Sequence, residues 1–263
     1  MRSAVRPIFA AVAVATLAAT ALGASAAPQP KVTGGISLGS PNQYVSFNAF
    51  QGTTTAATKG SVTYTNFDYA TPGTGVWTLT SPVHIDFNIG GNDYNHTMTV
   101  TGVTPSSNNS LSYTATGVYD PDPSYTWNGS GTVSGSNVTL NLVYTGTSAG
   151  YALQLVGTIA PNGSMSGTET GSNTGTWSAA AGSAHEVLSY TSAVTCAVIN
   201  GTAASFSFNA GGPFVGTPIL VSVTDGGSPG SKDTYKEDVN GGPCATTSAA
   251  TQYPITGGNL VVH

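Results

Sequence analysis

The sequence predicts an all-β protein: an antiparallel β-sandwich, Ig-like or jelly-roll-like, that carries an inserted antiparallel β-meander or small barrel. Three observations predict it. Short runs alternate apolar and polar side chains with the two-residue period of a half-buried strand. Gly, Pro, Asn and Ser interrupt these runs every eight to twelve residues. Two cysteines, Cys196 and Cys244, stand in a chain that opens with the features of an export leader.

The leader is read from its order of parts. Arg2 and Arg6 precede an apolar run from Ile8 to Leu22, and Ala24-Ser25-Ala26 then offers the small residues a signal peptidase reads. The run is shorter than the ~20 residues a spanning helix needs. Residues 1–26 are therefore expected to be a cleaved signal peptide, leaving a secreted, extracellular chain from Ala27 to His263. Cleavage removes both arginines. Four lysines then face eleven carboxylates, a net charge of −7. So few cations cannot neutralise a row of phosphates or anionic headgroups, so neither a nucleic-acid partner nor membrane insertion is expected. Disorder is the reading to weigh against folding, and pattern favours folding: disordered chains combine low hydrophobicity with high charge, whereas this one places Val, Ile, Tyr and Phe in alternating runs.

Along the chain, Tyr44 to Ala49 and Ser61 to Tyr64 read as the first strands. In Val83 to Ile89, Val83, Ile85, Phe87 and Ile89 share one face while His84, Asp86 and Asn88 share the other. The middle is a meander. Tyr125 to Val133 turns at residues 134–137 into Val138 to Tyr144, and the Gly146 to Gly150 loop leads to Tyr151 to Val156. Asn162-Gly163, a pair suited to a primed hairpin turn, joins Ile159 to Met165, and Gly175-Thr176-Trp177 closes the series. Toward the C-terminus, Val194 to Val198 turns at Asn200-Gly201 into Ala204 to Phe208. Ile219 to Val223 enters a Gly/Pro-rich turn from Asp225 to Gly230, and Gly258 to His263 forms the last strand. The string Ser-Phe-Asn-Ala occurs at Ser46 to Ala49 and again at Ser207 to Ala210, either as two related strands flanking an insertion or by chance.

An even cysteine count in an exported chain is read most simply as one bridge, Cys196 to Cys244. Such a crosslink is worth about 4 kcal/mol on the loop-entropy model. Two cysteines without neighbouring histidines do not make a zinc site.

A family resemblance joins several of these segments. Lys31-Val32-Thr33-Gly34-Gly35, Val194-Thr195-Cys196, Asn200-Gly201-Thr202-Ala203, Val223 to Gly230, Asp233-Thr234-Tyr235, Cys244 and Gly257 to His263 together resemble a post-COAP-like secreted bacterial β domain. The likeness spreads over residues 31–84 and 187–263. Between them, the stretch from Trp127-Asn128-Gly129 to Trp177 is similar to a lipocalin-like β-meander. The resemblance implies a discontinuous sandwich domain, residues 27–84 plus 187–263, interrupted by a meander domain, residues 85–186. It transfers no active site.

Candidate chemistry is sparse. Gly146-Thr147-Ser148-Ala149-Gly150 matches the string of serine hydrolases, but that motif needs a strand running into a helix, and strands are expected on both sides here. His84, His96, His185 and His263 are spaced for no metal motif, and each is expected at a surface or boundary position. Asp120 and Asp122 supply too few oxygens for calcium, as do Asp225 and Asp233. No metal and no cofactor is expected. Tyr119, Asp120, Asp122, Tyr125 and Trp127 form the binding candidate, because aromatic faces stack on sugar rings while carboxylates take the hydroxyls. The competing reading puts Trp127 in the meander core and leaves the tyrosines flanking turns. The chain is accordingly expected to be a secreted, non-catalytic bacterial β protein, an extracellular binding, adhesion or structural module whose partner is a glycan or cell-surface component. The alternatives are a carbohydrate-binding module, a secreted hydrolase, or a meander that encloses a lipid-like ligand.

Overall fold

A computed structural model describes residues 28–39, 42–53, 57–227, 232–242, 244 and 251–263. The expected leader and the tip of the turn after Gly227 lie outside the described residues. The protein is all-β with antiparallel pairing throughout, and no α-helix occurs among the described residues.

The strands fall into two groups. The first group is β1 (Lys31–Gly39), β2 (Asn42–Phe50), β3 (Lys59–Ala70), β4 (Trp77–Leu79), β13 (Ala184–Asn200), β14 (Ala203–Asn209), β15 (Pro218–Thr224), β16 (Thr234–Val239), β17 (Thr251–Tyr253) and β18 (Ile255–Val262). They form one ten-stranded sheet in the order β17-β16-β15-β14-β13-β3-β2-β1-β18, with β4 paired beside β13. The sheet curls over its own apolar face. Phe47 on β2 and Phe206 on β14 have two strands, β3 and β13, between them in the sheet, yet their ring centroids are 4.9 Å apart. Around them pack Ile36, Leu38, Val45, Val221, Tyr235 and Leu260. Both copies of the repeated string contribute here, through Phe47 and Phe208.

The curl ends in a clamp. Asp225 Oδ2 accepts the Val262 backbone N–H at 3.1 Å, and Asp233 Oδ2 accepts that of Leu260 at 3.3 Å. Their other oxygens accept the Gly227 and Gly226 N–H groups. These aspartates therefore satisfy donors on β18 that would otherwise offer an open sheet edge. Cys196 on β13 is bonded to Cys244, with Cα atoms 6.1 Å apart.

The second group is β5 (Val83–Ile89), β6 (Asn92–Ser107), β7 (Ser110–Tyr119), β8 (Asp122–Ser134), β9 (Asn137–Tyr144), β10 (Ala152–Ile159), β11 (Met165–Gly171) and β12 (Gly175–Ala179). These eight strands close into a barrel in which β12 pairs back with β5. Alternation fills it: Val83, Ile85 and Phe87 point inward with Met98, Leu111, Trp127, Leu140, Leu142 and Leu155. A barrel of eight strands has an interior just wide enough for side chains or one small ligand. Bulky rings fit where the facing strand is bare. A Cβ on Gly117 would lie 2.0 Å from Cζ2 of Trp127, so glycine there makes room for the indole.

One turn differs from its sequence reading. A primed turn at Asn162-Gly163 needs positive φ at both residues, and only Gly163 has it, at 78°. Pro161 instead takes the second position of an ordinary four-residue turn that starts at Ala160, in which Gly163 N–H bonds to Ala160 O, and Gly163 forms the left-handed step into β11. The β6–β7 hairpin ties barrel to sheet: Ser37 Oγ donates to Pro105 O and Thr65 Oγ1 to Asn108 O, both at 2.7 Å.

Candidate functional site

One end of the barrel is plugged by Leu79, Ile159, Met165 and Ala179. The other opens into a cup of about 410 Å³, a volume in the range of small-ligand sites. Its wall is built where strands meet turns. Phe87 and Ile89 come from the end of β5, Tyr94 and His96 from the start of β6, and Tyr119 from the end of β7. Asp122 and Tyr125 come from the start of β8, Tyr144 from the end of β9, and Leu153 from β10. Ser148, Tyr151 and Asn173 stand on loops at the rim. Five of the chain's twelve tyrosines therefore line one cavity.

The rings are braced against each other. Tyr119 meets Tyr94 at 6.1 Å and Tyr125 at 6.0 Å, and Tyr144 meets Tyr151 edge-on at 5.5 Å. His96 is the centrepiece, 2 % exposed, its ring 4.5 Å from Phe87 and 5.2 Å from Tyr119. Nδ1 lies 2.9 Å from Tyr94 O, and a carbonyl can only accept, so Nδ1 carries the proton. Burial lowers the His96 pKa and keeps the ring neutral. Nε2 is then an acceptor, and the Tyr144 hydroxyl donates to it at 2.8 Å. Burial raises the Tyr144 pKa in turn, so the phenol keeps the proton it donates.

Beneath this wall the barrel holds buried polar atoms without partners among the described residues. Trp127 Nε1 is one. Both carboxylate oxygens of Glu169 are the others, on a side chain 1 % exposed. Glu169 faces inward from β11, opposite Leu155 on one side and Gly175 on the other. A Cβ on Gly175 would stand 2.8 Å from its Oε1, so that glycine leaves the carboxylate its space. Burial pushes the Glu169 pKa up to about 7.

The sequence-predicted binding residues divide three ways. Tyr119, Asp122 and Tyr125 line the cup. Asp120 sits exposed in the β7–β8 turn, its backbone N–H bonded to Asn95 O, and does not line it. Trp127 is 1 % exposed and fills the barrel core below. The expectation of a surface or boundary position for every histidine fails at His96. It alternates with Tyr94 and Met98 on the inward face of β6, so strand geometry rather than polarity sets its burial. Sequence reasoning missed Tyr94, His96, Tyr144, Tyr151 and Glu169. The available signal was register: counting by twos from Met165 through Gly167 places Glu169 inward.

Ser148 of the Gly-x-Ser-x-Gly string lies in the loop between β9 and β10, with φ of 68°. Strands flank it on both sides, and the nearest histidine on the cup wall has both ring nitrogens engaged. Asp225 and Asp233 are occupied by backbone N–H groups. Among the described residues no cluster of three or more His, Cys, Asp or Glu side chains is arranged to hold a metal ion. No helix among them is long and apolar enough to cross a membrane. A second cavity, about 240 Å³, lies on the ten-stranded sheet between Tyr64, Tyr190, Phe214 and Glu237. Comparison of the chain with protein-family models, curated proteins and solved structures finds no match in any of the three.

Proposed function

We propose that this chain is a secreted, non-catalytic binding protein whose barrel receives a small ligand in its tyrosine cup. The observation that carries the reading is the cup itself: an open cavity of about 410 Å³ whose rings are already fixed before any ligand arrives. Pre-fixed aromatic walls bind flat or ring-shaped molecules at little ordering cost. The His96–Tyr144 bond serves as a brace for that wall. Export is supported by the leader and by a disulfide, a crosslink typical of oxidising compartments.

On this reading the curled ten-stranded sheet is the expected sandwich, residues 27–84 with 187–263, its two halves meeting through Phe47 and Phe206. The barrel, residues 83–179, is the inserted binding unit and stands where the 85–186 meander is expected. The likeness to post-COAP-like and lipocalin-like modules agrees with a carrier sheet bearing a ligand barrel. A carbohydrate ligand is favoured at the rim alone, where Tyr119 and Tyr125 flank Asp122.

The test is isothermal titration of the mature, disulfide-bonded protein against a panel of mono- and disaccharides, aromatic alcohols and small amines. At least one class binds, and Tyr119→Ala or Tyr125→Ala weakens it tenfold or more. A panel with no binder, or a binder indifferent to both substitutions, overturns the reading.

A further inference from the structure

The strands and turns of the barrel, residues 83–179, contain no lysine and no arginine. They contain five acids: Asp86, Asp93, Asp120, Asp122 and Glu169. Of these, Glu169 alone is buried, and neither of its oxygens accepts a hydrogen bond from a described residue. An isolated carboxylate in a protein interior is expensive, and native structures almost always pair it. Nothing within the barrel can pair this one by charge. Its register places it one inward rung below Leu153, which lines the cup. Its charge is felt at the hydroxyls of Tyr144 and Tyr151, both on the cup wall.

Tyrosine faces attract cations through the ring quadrupole, most strongly where water is excluded. A cup with five such rings and a neutral histidine, above an unpaired acid buried one rung beneath its lining, has a field of one sign. We propose that the cup binds an organic ammonium ion, caged by the tyrosine rings with Glu169 as its buried counter-charge. The proposal rests on the cup being a ligand site, as argued above.

Protons compete with the cation for Glu169. The titratable groups around it are Tyr144 and Tyr151, with His96 behind Tyr144 and Asp122 on the wall. The first three are neutral near pH 7, so the pH dependence of binding near pH 7 is assigned to Glu169 beneath the cup.

The experiment titrates the mature protein with choline, with its uncharged carbon isostere 3,3-dimethylbutan-1-ol, and with glucose. Choline is expected to bind at least tenfold tighter than the isostere at pH 8, and to weaken about tenfold per pH unit below 7. Glu169→Gln is expected to erase that preference. Because the variant alters a buried group, a second readout uses the unaltered protein: the Glu169 carboxyl carbon, followed by NMR, titrates at least one pH unit lower when choline saturates. Equal binding of choline and the isostere, no binding of choline, or a Glu169 titration unmoved by choline overturns the proposal. Should glucose or the isostere bind at least as tightly as choline and Tyr119→Ala abolish that binding, the cup remains a ligand site while the ammonium assignment falls.

Discussion

The Tyr144 hydroxyl lies 2.8 Å from Nε2 of His96, and this one bond joins the start of β6 to the end of β9 across the barrel mouth. The two strands are separated by β7 and β8 in the barrel order, so no ladder hydrogen bond holds them. Tyr144→Phe leaves His96 Nε2 buried and unpaired. The expected cost is about 1–3 kcal/mol, with the fold retained and ligand affinity reduced through a looser wall. Chemical denaturation of the two proteins checks it; equal midpoints would show that the bond is idle.

Gly117 and Trp127 make a second testable pair. Gly117→Ala pushes a methyl group into the buried indole. Overpacking of this kind costs about 1–3 kcal/mol. The indole must also shift, so intrinsic fluorescence should change along with the unfolding midpoint. An unchanged spectrum at unchanged stability would contradict the packing described.

Stability should fall as pH rises from about 4.5 to 7. Burial pushes Glu237 up to about 7, where it lies among Tyr64, Tyr190, Tyr235 and Tyr253 and accepts a 3.3 Å bond from the Tyr235 hydroxyl. Glu169 is raised to about 7 as well. A carboxyl whose pKa is raised by folding contributes fully below its unfolded value and loses that contribution as pH rises through the folded one. Asp225 works in the opposite sense: the Gly227 and Val262 N–H groups lower its pKa, so its contribution is lost only at strongly acid pH. Thermal melts should therefore peak near pH 4 to 5, and Glu237→Gln should flatten the alkaline limb. A melting temperature constant from pH 5 to 8 would refute this.

Reduction of Cys196–Cys244 should destabilise the ten-stranded sheet by about 4 kcal/mol on the loop-entropy model. The barrel carries no cysteine and has its own core, so its signals should persist longest. Hydrogen exchange with and without reductant separates the two. Simultaneous loss of protection in β5–β12 and in β13–β16 would show that the barrel depends on the bridge.

Strand content was legible in the sequence wherever one face is wet, as in Val83–Ile89, where the burial pattern alternates as the letters do. The bridge was legible because two cysteines admit one pairing. Barrel closure was not, because the β12–β5 pairing joins segments some ninety residues apart and leaves no local trace. The cup was half legible for the same reason. Tyr119, Asp122 and Tyr125 are neighbours in sequence, whereas Tyr94, Tyr144 and Tyr151 reach the same rim only through closure. Trp127 admitted two readings by residue type, a sugar platform or the meander core, and the register of β8 sends it inward to the core.

On the proposed function, the barrel mouth and not the sheet meets the ligand. Tyrosine-labelled protein titrated with whichever ligand the binding panel yields tests it most directly. Ring resonances of Tyr94, Tyr119, Tyr125, Tyr144 and Tyr151 should shift with a common saturation curve while those of Tyr64 and Tyr190 stay in place. Shifts confined to Tyr64 and Tyr190 would move the site to the cavity beside Glu237 and contradict the account.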